Sequence, residues 1–317
     1  MKIGRAGYGW MVLAALALVG CAPPEPPSTQ GKLQVVTTVG MIRDVVQNVG
    51  GAHVRAVGLM GPGVDPHLYK ASEGDVRRLF RADVVFYGGL HLEARMGEVL
   101  EEMGGRTRVV AVTDAIPRDL LLSPAEFKGA HDPHVWFDVR MWAMTVDTIA
   151  ATLAAADPPN AAAYRRNAAA YRARLDSTDA YVRAQALRVP ADKRVLITAH
   201  DAFNYFGRAY GFQVRGLQGI STASEAGTAD VQALADFIAR RRIPAVFVES
   251  SIPRRTIEAV QEAVRSRGWD VHIGGSLYSD AMGNPGTPEG TYSGMVRHNI
   301  DTLVGALLRT PGGGTDG

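Results

Sequence analysis

The side chains best able to do chemistry in this sequence are imidazoles and carboxylates, and four positions share a local setting. His67 closes the turn Gly61-Pro62-Gly63-Val64-Asp65-Pro66-His67, and His134 lies within His131-Asp132-Pro133-His134-Val135-Trp136-Phe137-Asp138. His200 follows the apolar run 194–198, and Asp280 stands in Tyr278-Ser279-Asp280. Taken singly, a histidine at a strand end is most often a hydrogen-bonded loop residue. The recurrence of Asp-Pro-His at 65–67 and 132–134 argues for more, because the bond to proline holds the preceding residue extended and presents the histidine from a stiff turn. Imidazole nitrogens joined by one carboxylate make a fitting donor set for a first-row transition metal. Sulfur is excluded from that set. The only cysteine is Cys21, so neither an intrachain disulfide nor a Cys-rich zinc module can form.

The elements that must position these groups alternate. Short β-branched runs at 33–39, 54–60, 82–87 and 107–112 predict buried parallel strands, with helix-like stretches such as 41–49 and 73–81 between them. A second series follows at 194–198, 212–217, 245–249 and 271–273, with helices predicted over 229–241 and 255–267. The candidate groups then fall at the carboxyl ends of strands, where open α/β sheets bind ligands. A length of 317 residues sits where one core usually divides, so the expected fold class is α/β, with two α/β lobes and parallel sheets. Between the two series, Asp157-Pro158-Pro159 looks like a cap followed by first-turn prolines, and 160–187 contains no Gly or Pro. One long helix is predicted there, with an apolar seam of Tyr164, Tyr171, Leu175 and Tyr181.

The amino terminus looks like an address. Lys2 and Arg5 precede a short apolar run from Trp10 to Val19, the pattern of a secretory signal and too short to span a bilayer. Leu18-Val19-Gly20-Cys21 resembles the bacterial lipobox, in which the cysteine carries lipid, and the proline-rich stretch after it reads as a tether. The formal charge of +2 vanishes once the first 20 residues are set aside, which argues against nucleic acid as a partner.

Four segments carry a wider resemblance: Gly63-Val64-Asp65-Pro66-His67-Leu68-Tyr69, Asp132-Pro133-His134-Val135-Trp136-Phe137-Asp138, Gly219-Ile220-Ser221-Thr222 and Val246-Phe247-Val248-Glu249. Together they resemble the signature segments of the cluster A-I solute-binding proteins of zinc and manganese ABC importers, in order over about 33–309. The resemblance implies two lobes joined by one rigid helix, with the metal at the lobe interface. It implies His67 and His134 as ligands from the first lobe and His200 and Asp280 from the second. It also implies a division into a signal peptide at 1–20, a tether at 21–32, a first lobe at 33–157, a linking helix at 158–188, a second lobe at 189–310 and a tail at 311–317. Glu249 is a candidate outer carboxylate orienting His200, and His91 a candidate lining residue near the metal. Lys70, Ala71 and Val139 depart from the family pattern without touching the ligands. The short segment before the second Asp-Pro-His motif, with Asp280, resembles mixed zinc and manganese binders.

The expected function is therefore a monomeric, extracytoplasmic lipoprotein, anchored to the membrane through lipid on Cys21. It captures a divalent transition metal, zinc first and manganese next, and delivers it to an ABC permease and its ATPase. The transported metal is the only ligand expected, and no catalysis. A secreted zinc hydrolase would need an open coordination position and a general base, and neither a His-Glu-x-x-His motif nor a nucleophile elbow occurs. A surface adhesin is a further alternative, for which no residue in the sequence speaks. With unperturbed imidazoles, affinity is expected to be flat near neutral pH and to fall below about pH 6.5.

Overall fold

Strand β1 (Leu33–Thr37) buries Val35, Val36 and Thr37 and lies at the heart of a four-stranded sheet ordered β2-β1-β3-β4, all parallel. Its partners are β2 (Val54–Gly58), β3 (Val84–Tyr87) and β4 (Arg108–Ala111). The computed structural model describes residues 31–309 except 106, 125, 126 and 128. The signal peptide, Cys21, all but the last two tether residues, and the tail at 311–317 lie outside the described residues.

Helix α1 (Gly40–Gly50) buries Met41, Ile42, Val45, Val46 and Val49, the spacing of one helical face, against this sheet. Helix α2 (Glu73–Phe80) starts at a reciprocal cap in which Ser72 and Asp75 each satisfy the other's backbone N–H. After α3 (Gly97–Met103) comes α4 (Val139–Ala156), whose first turn donates the Arg140 and Met141 N–H groups to Asp138.

The predicted long helix is α5 (Ala161–Leu187), preceded by a short helical turn at Pro158–Asn160. Its buried stripe is Tyr164, Ala168, Tyr171, Leu175, Thr178, Val182 and Ala186. Tyr181 leaves the predicted seam: it is only half-buried, and its hydroxyl donates to the Asp301 carboxylate at 2.8 Å. The interval of three and four residues runs instead through Thr178 and Val182. The helix is pinned on both sides. Tyr171 donates to Asp44 at 2.7 Å in the first lobe, while Thr178 meets Ser293 at 2.9 Å and Arg183 donates to the Ala209 carbonyl at 3.0 Å in the second.

The second lobe holds two parallel strand pairs. The first is β5 (Val195–His200) with β6 (Gln213–Gln218), and the other β7 (Ala245–Glu249) with β8 (His272–Leu277). β5 packs beside β7, bringing both pairs into one layer. Helices α6 (Asn204–Tyr210), α7 (Thr228–Arg241), α8 (Arg255–Arg265) and α9 (Tyr292–Leu307) cover it. One small apolar cluster, including Val195, Ile197, Leu234, Ile238 and Val246, belongs to this lobe alone. The larger cluster runs from the first lobe across into Phe203, Phe206 and Tyr292. At that crossing Phe137 stacks on Phe203 with centroids 4.2 Å apart. The protein is thus two α/β lobes with parallel sheets joined by a long helix, as expected. No helix among the described residues is long and apolar enough to cross a membrane.

Candidate metal centre

Each of the four groups arrives by a different local device. β2 ends at Gly58, and the chain turns through Gly61–Gly63, with Gly63 in the left-handed region at φ 73°. Asp65 then accepts the backbone N–H of His67 at 2.9 Å, fixing the tight turn that presents the ring. At the second Asp-Pro-His, Asp132 accepts the backbone N–H of His134 at 3.0 Å in the same way. It also faces the ring's Nδ1 at 2.7 Å. His200 is the last residue of β5, and its N–H donates to Glu249 Oε1 at 2.9 Å, from the last residue of β7. β8 runs on to Leu277, four residues past the predicted end, so Asp280 follows three residues after the strand. Asn299 holds that approach by accepting the Tyr278 N–H at 2.9 Å and donating to its carbonyl at 2.7 Å.

The four side chains meet between the lobes. His67, His134, His200 and Asp280 each offer one ligand atom, all within 4.8 Å of one another. All four residues are at most 3% exposed. Nε2 of His67 is 3.3 Å from Nε2 of His134; Nε2 of His134 is 3.4 Å from Asp280 Oδ1, and Nε2 of His200 is 3.3 Å from Oδ2. Donors about 2.0–2.1 Å from a tetrahedral zinc ion stand about 3.3 Å from each other, so these spacings suit such an ion. Despite the closeness, both oxygens of Asp280 and Nε2 of His200 are buried without a hydrogen-bond partner. These atoms face one another around a common point, and buried polar atoms at this depth are costly unless a proton or a cation satisfies them.

Two outer carboxylates stand against the Nδ1 atoms of His134 and His200. Nδ1 of His134 faces Asp132 and Nδ1 of His200 lies 2.6 Å from Glu249 Oε2, which leaves Nε2 of each ring free for a metal. The structure places the Glu249 carboxylate beside the His200 ring. Asp132 in this role was not anticipated, although its place two residues before His134 was the available signal. Asn204 Nδ2, at 3.1 Å, and the Tyr205 hydroxyl, at 2.9 Å from the backbone carbonyl, secure Asp132 in turn.

The electrostatics follow from these partners. Burial depresses His67 to about 3, against partial compensation by Asp280. Burial would depress His134 as well, but the Asp132 charge and hydrogen bond, with Asp280, lift it to about 9. His200 is likewise raised well above the usual imidazole range, because Glu249 and Asp280 outweigh its burial. Burial opposes ionisation of Asp280, yet the cationic forms of His200 and His134 hold it well below the usual carboxylate range. Without a metal, protons on two imidazoles take the place of the cation. The flat neutral-pH behaviour expected from unperturbed imidazoles does not fit this environment.

The sequence of the zinc-uptake complex component A family, a periplasmic component, matches residues 35–306. The chain belongs to that family. Among curated relatives, the zinc-binding protein TroA of Treponema pallidum is 55% identical over 284 residues, covering 89% of this chain and 91% of the relative. The manganese-binding lipoprotein MntA of Bacillus subtilis is 49% identical over 298 residues, covering 94% and 97%. The solved structure of the periplasmic zinc-binding protein TroA from T. pallidum superposes with a TM-score of 0.86, covering 88% of this chain and all of that one. As a member of the zinc-uptake component A family, the chain is an extracytoplasmic metal-binding transport protein and not an enzyme. Its His, His, His and Asp cluster suits a divalent transition metal, and family membership implies an importer partner and a membrane anchor.

The remaining histidines lie outside the group of four. His91 is exposed, with φ 65°, and lines a cavity of about 620 Å³ beside Tyr87, Glu101, Asp114 and His131. Among the described residues it makes no hydrogen bond to any of the four. His131 pairs through Nδ1 with Ser123 Oγ at 2.7 Å, and His298 through Nε2 with the Ser276 carbonyl at 3.0 Å.

Proposed function

We propose that His67, His134, His200 and Asp280 together hold one divalent transition metal between the lobes, and that the protein carries this cargo to an ABC permease and its ATPase. The observation that carries the reading is the convergence of four buried ligand atoms whose spacings suit one ion, with both Asp280 oxygens left without a hydrogen-bond partner. Zinc is the favoured cargo: three imidazoles and one carboxylate bind it more tightly than manganese in the general affinity order. One relative is described as zinc-binding and another as manganese-binding, so manganese is the second candidate. The two Asp280 oxygens facing different imidazoles give a carboxylate able to bind through both, which suits the higher coordination of manganese.

Four protein donors leave no obligatory position for a reactive water, and Glu249 and Asp132 are both committed to imidazoles. A holding site is the outcome. The protein works as a monomer whose lobes span 33–157 and 189–310 on either side of the helix at 158–188, tethered through lipid on Cys21. Metal analysis of protein purified from its native host, followed by zinc and manganese competition, tests the cargo. Purification without stoichiometric metal and without measurable affinity for either ion would sink the reading. Cell fractionation of Cys21→Ser tests the tether, with loss of the protein from the membrane fraction expected.

A further inference from the structure

The two lobes clasp the centre unevenly. On the His134 side, Trp136 Nε1 donates to the Ser279 carbonyl at 3.0 Å, and the Tyr292 hydroxyl donates to the Trp136 carbonyl at 2.7 Å. Asn204 and Tyr205 bind Asp132 from the same opposing lobe. On the His67 side, the turn Gly61–Gly63 is exposed, and among the described residues the loop 61–67 reaches the second lobe through one hydrogen bond. The Thr222 hydroxyl donates to Asp65 Oδ2 at 2.6 Å. The other oxygen of the same carboxylate accepts the His67 N–H. One side chain therefore links the second lobe directly to the turn that presents a ligand.

Thr222 itself is out of character with its surroundings. It lies in the connection between β6 and α7, where Ala223, Ser224, Glu225 and Gly227 are all exposed, yet it is only 6% exposed. Its hydroxyl reaches the first lobe at Asp65. Gly63 reinforces the fit: a Cβ there would stand 3.4 Å from the Ser250 carbonyl, so the loop backbone runs close to the second lobe at this point as well.

We propose that Thr222, through its hydrogen bond to Asp65, is the positioning residue that keeps His67 on the metal, so that breaking this bond governs how fast the metal leaves. This rests on the reading of the four residues as the metal site. His134 is braced by Asp132, His200 by Glu249, and the segment that carries Asp280 by Asn299 and Trp136, whereas His67 is the ligand that can withdraw with its loop. A hydroxyl bonded to a carboxylate is one of the stronger side-chain hydrogen bonds, and its loss should raise the release rate about tenfold.

The test follows zinc release from the loaded protein into excess chelator, for wild type, Thr222→Val, Thr222→Ser and His67→Ala, with the melting of each metal-free protein as the fold check. Thr222→Val should release zinc about tenfold faster and Thr222→Ser at nearly the wild-type rate; Thr222→Ala serves if valine is not accommodated. Wild-type release from a folded Thr222→Val alongside fast release from His67→Ala would overturn the latch, as would equal acceleration in Thr222→Ser and Thr222→Val. Wild-type binding and release in His67→Ala would instead overturn the assignment of the site.

Discussion

The two Asp-Pro-His segments are identical as tripeptides and opposite in physics. In both, the aspartate accepts the backbone N–H of the histidine two residues on. At 132–134 the whole stretch through Phe137 is buried, and the aspartate's spare capacity goes to its own histidine's Nδ1. At 65–67 the preceding turn is exposed, and the spare oxygen goes to Thr222 across the cleft. Burial lowers His67 to about 3, whereas at His134 the Asp132 charge and hydrogen bond, with Asp280, outweigh burial and lift the ring to about 9. The motif specifies the turn, while the surroundings decide whether its aspartate tunes a ligand or ties down a loop.

The largest effect should come from deleting the rings themselves. His134→Ala and His67→Ala should each weaken zinc binding by roughly several kcal/mol, the scale of one lost ligand in a buried site. His298→Ala, outside the group, should bind as wild type. Calorimetric titration checks all three, and native affinity in either ligand variant would remove that ring from the site.

Next comes the aspartate. Asp132→Asn removes the charge that orients and charges His134, and loss of such an outer partner typically costs about 10–100-fold in metal affinity. Asp65→Asn has no ring partner to lose, so its effect on equilibrium affinity should be clearly smaller. Equal losses in the two variants would mean that the difference between the motifs has no energetic consequence.

This asymmetry marks the limit of what the sequence made legible. The alternation of strands and helices, the long helix and all four converging groups followed from local pattern or resemblance, because strand ends and Asp-Pro-His turns are encoded within a few residues. The ends of β8 and the role of Asp132 were not legible. β8 carries Gly274 and Gly275 and a register shift opposite Val246 and Phe247, which disguises its last residues as a turn. Helix α4 escaped notice because it is apolar on most of its surface and gives little contrast between faces. Asp132 and Asp65 sit in the same tripeptide, and only tertiary neighbours from the opposite lobe, Asn204 and Tyr205 for one and Thr222 for the other, separate their roles.

Protons extend the comparison. Metal binding requires His134 to lose the proton it holds up to about pH 9, and His200 is raised in the same direction. Zinc affinity should therefore climb as pH rises from about 6.5 to 9, by about tenfold per unit for each proton displaced. Titration in buffers of different ionisation enthalpy counts those protons. Binding at pH 7 with no proton release would contradict the raised value for His134.

The smallest effect, and the most discriminating, concerns the stability of the metal-free protein. A folded-state value of about 9 for His134, above the unfolded value of about 6.5, gives stabilisation that is complete below pH 6.5 and lost as pH rises toward 9. His67 has the opposite sign: its folded-state value of about 3 means that the unfolded chain takes up a proton first, so stability is lost as pH falls from about 6.5 toward 3. The two rings together should give a maximum in melting temperature close to pH 6.5. His134→Asn should make the alkaline limb shallower, leaving the part that His200 contributes, and His67→Asn should flatten the acidic limb, each leaving the other limb in place. Thermal melts of the metal-free wild type and both variants across pH 5 to 9 decide it. If both substitutions alter the same limb, the two motifs do not differ in their electrostatics, and the contrast between a tuned ligand and a tethered one fails.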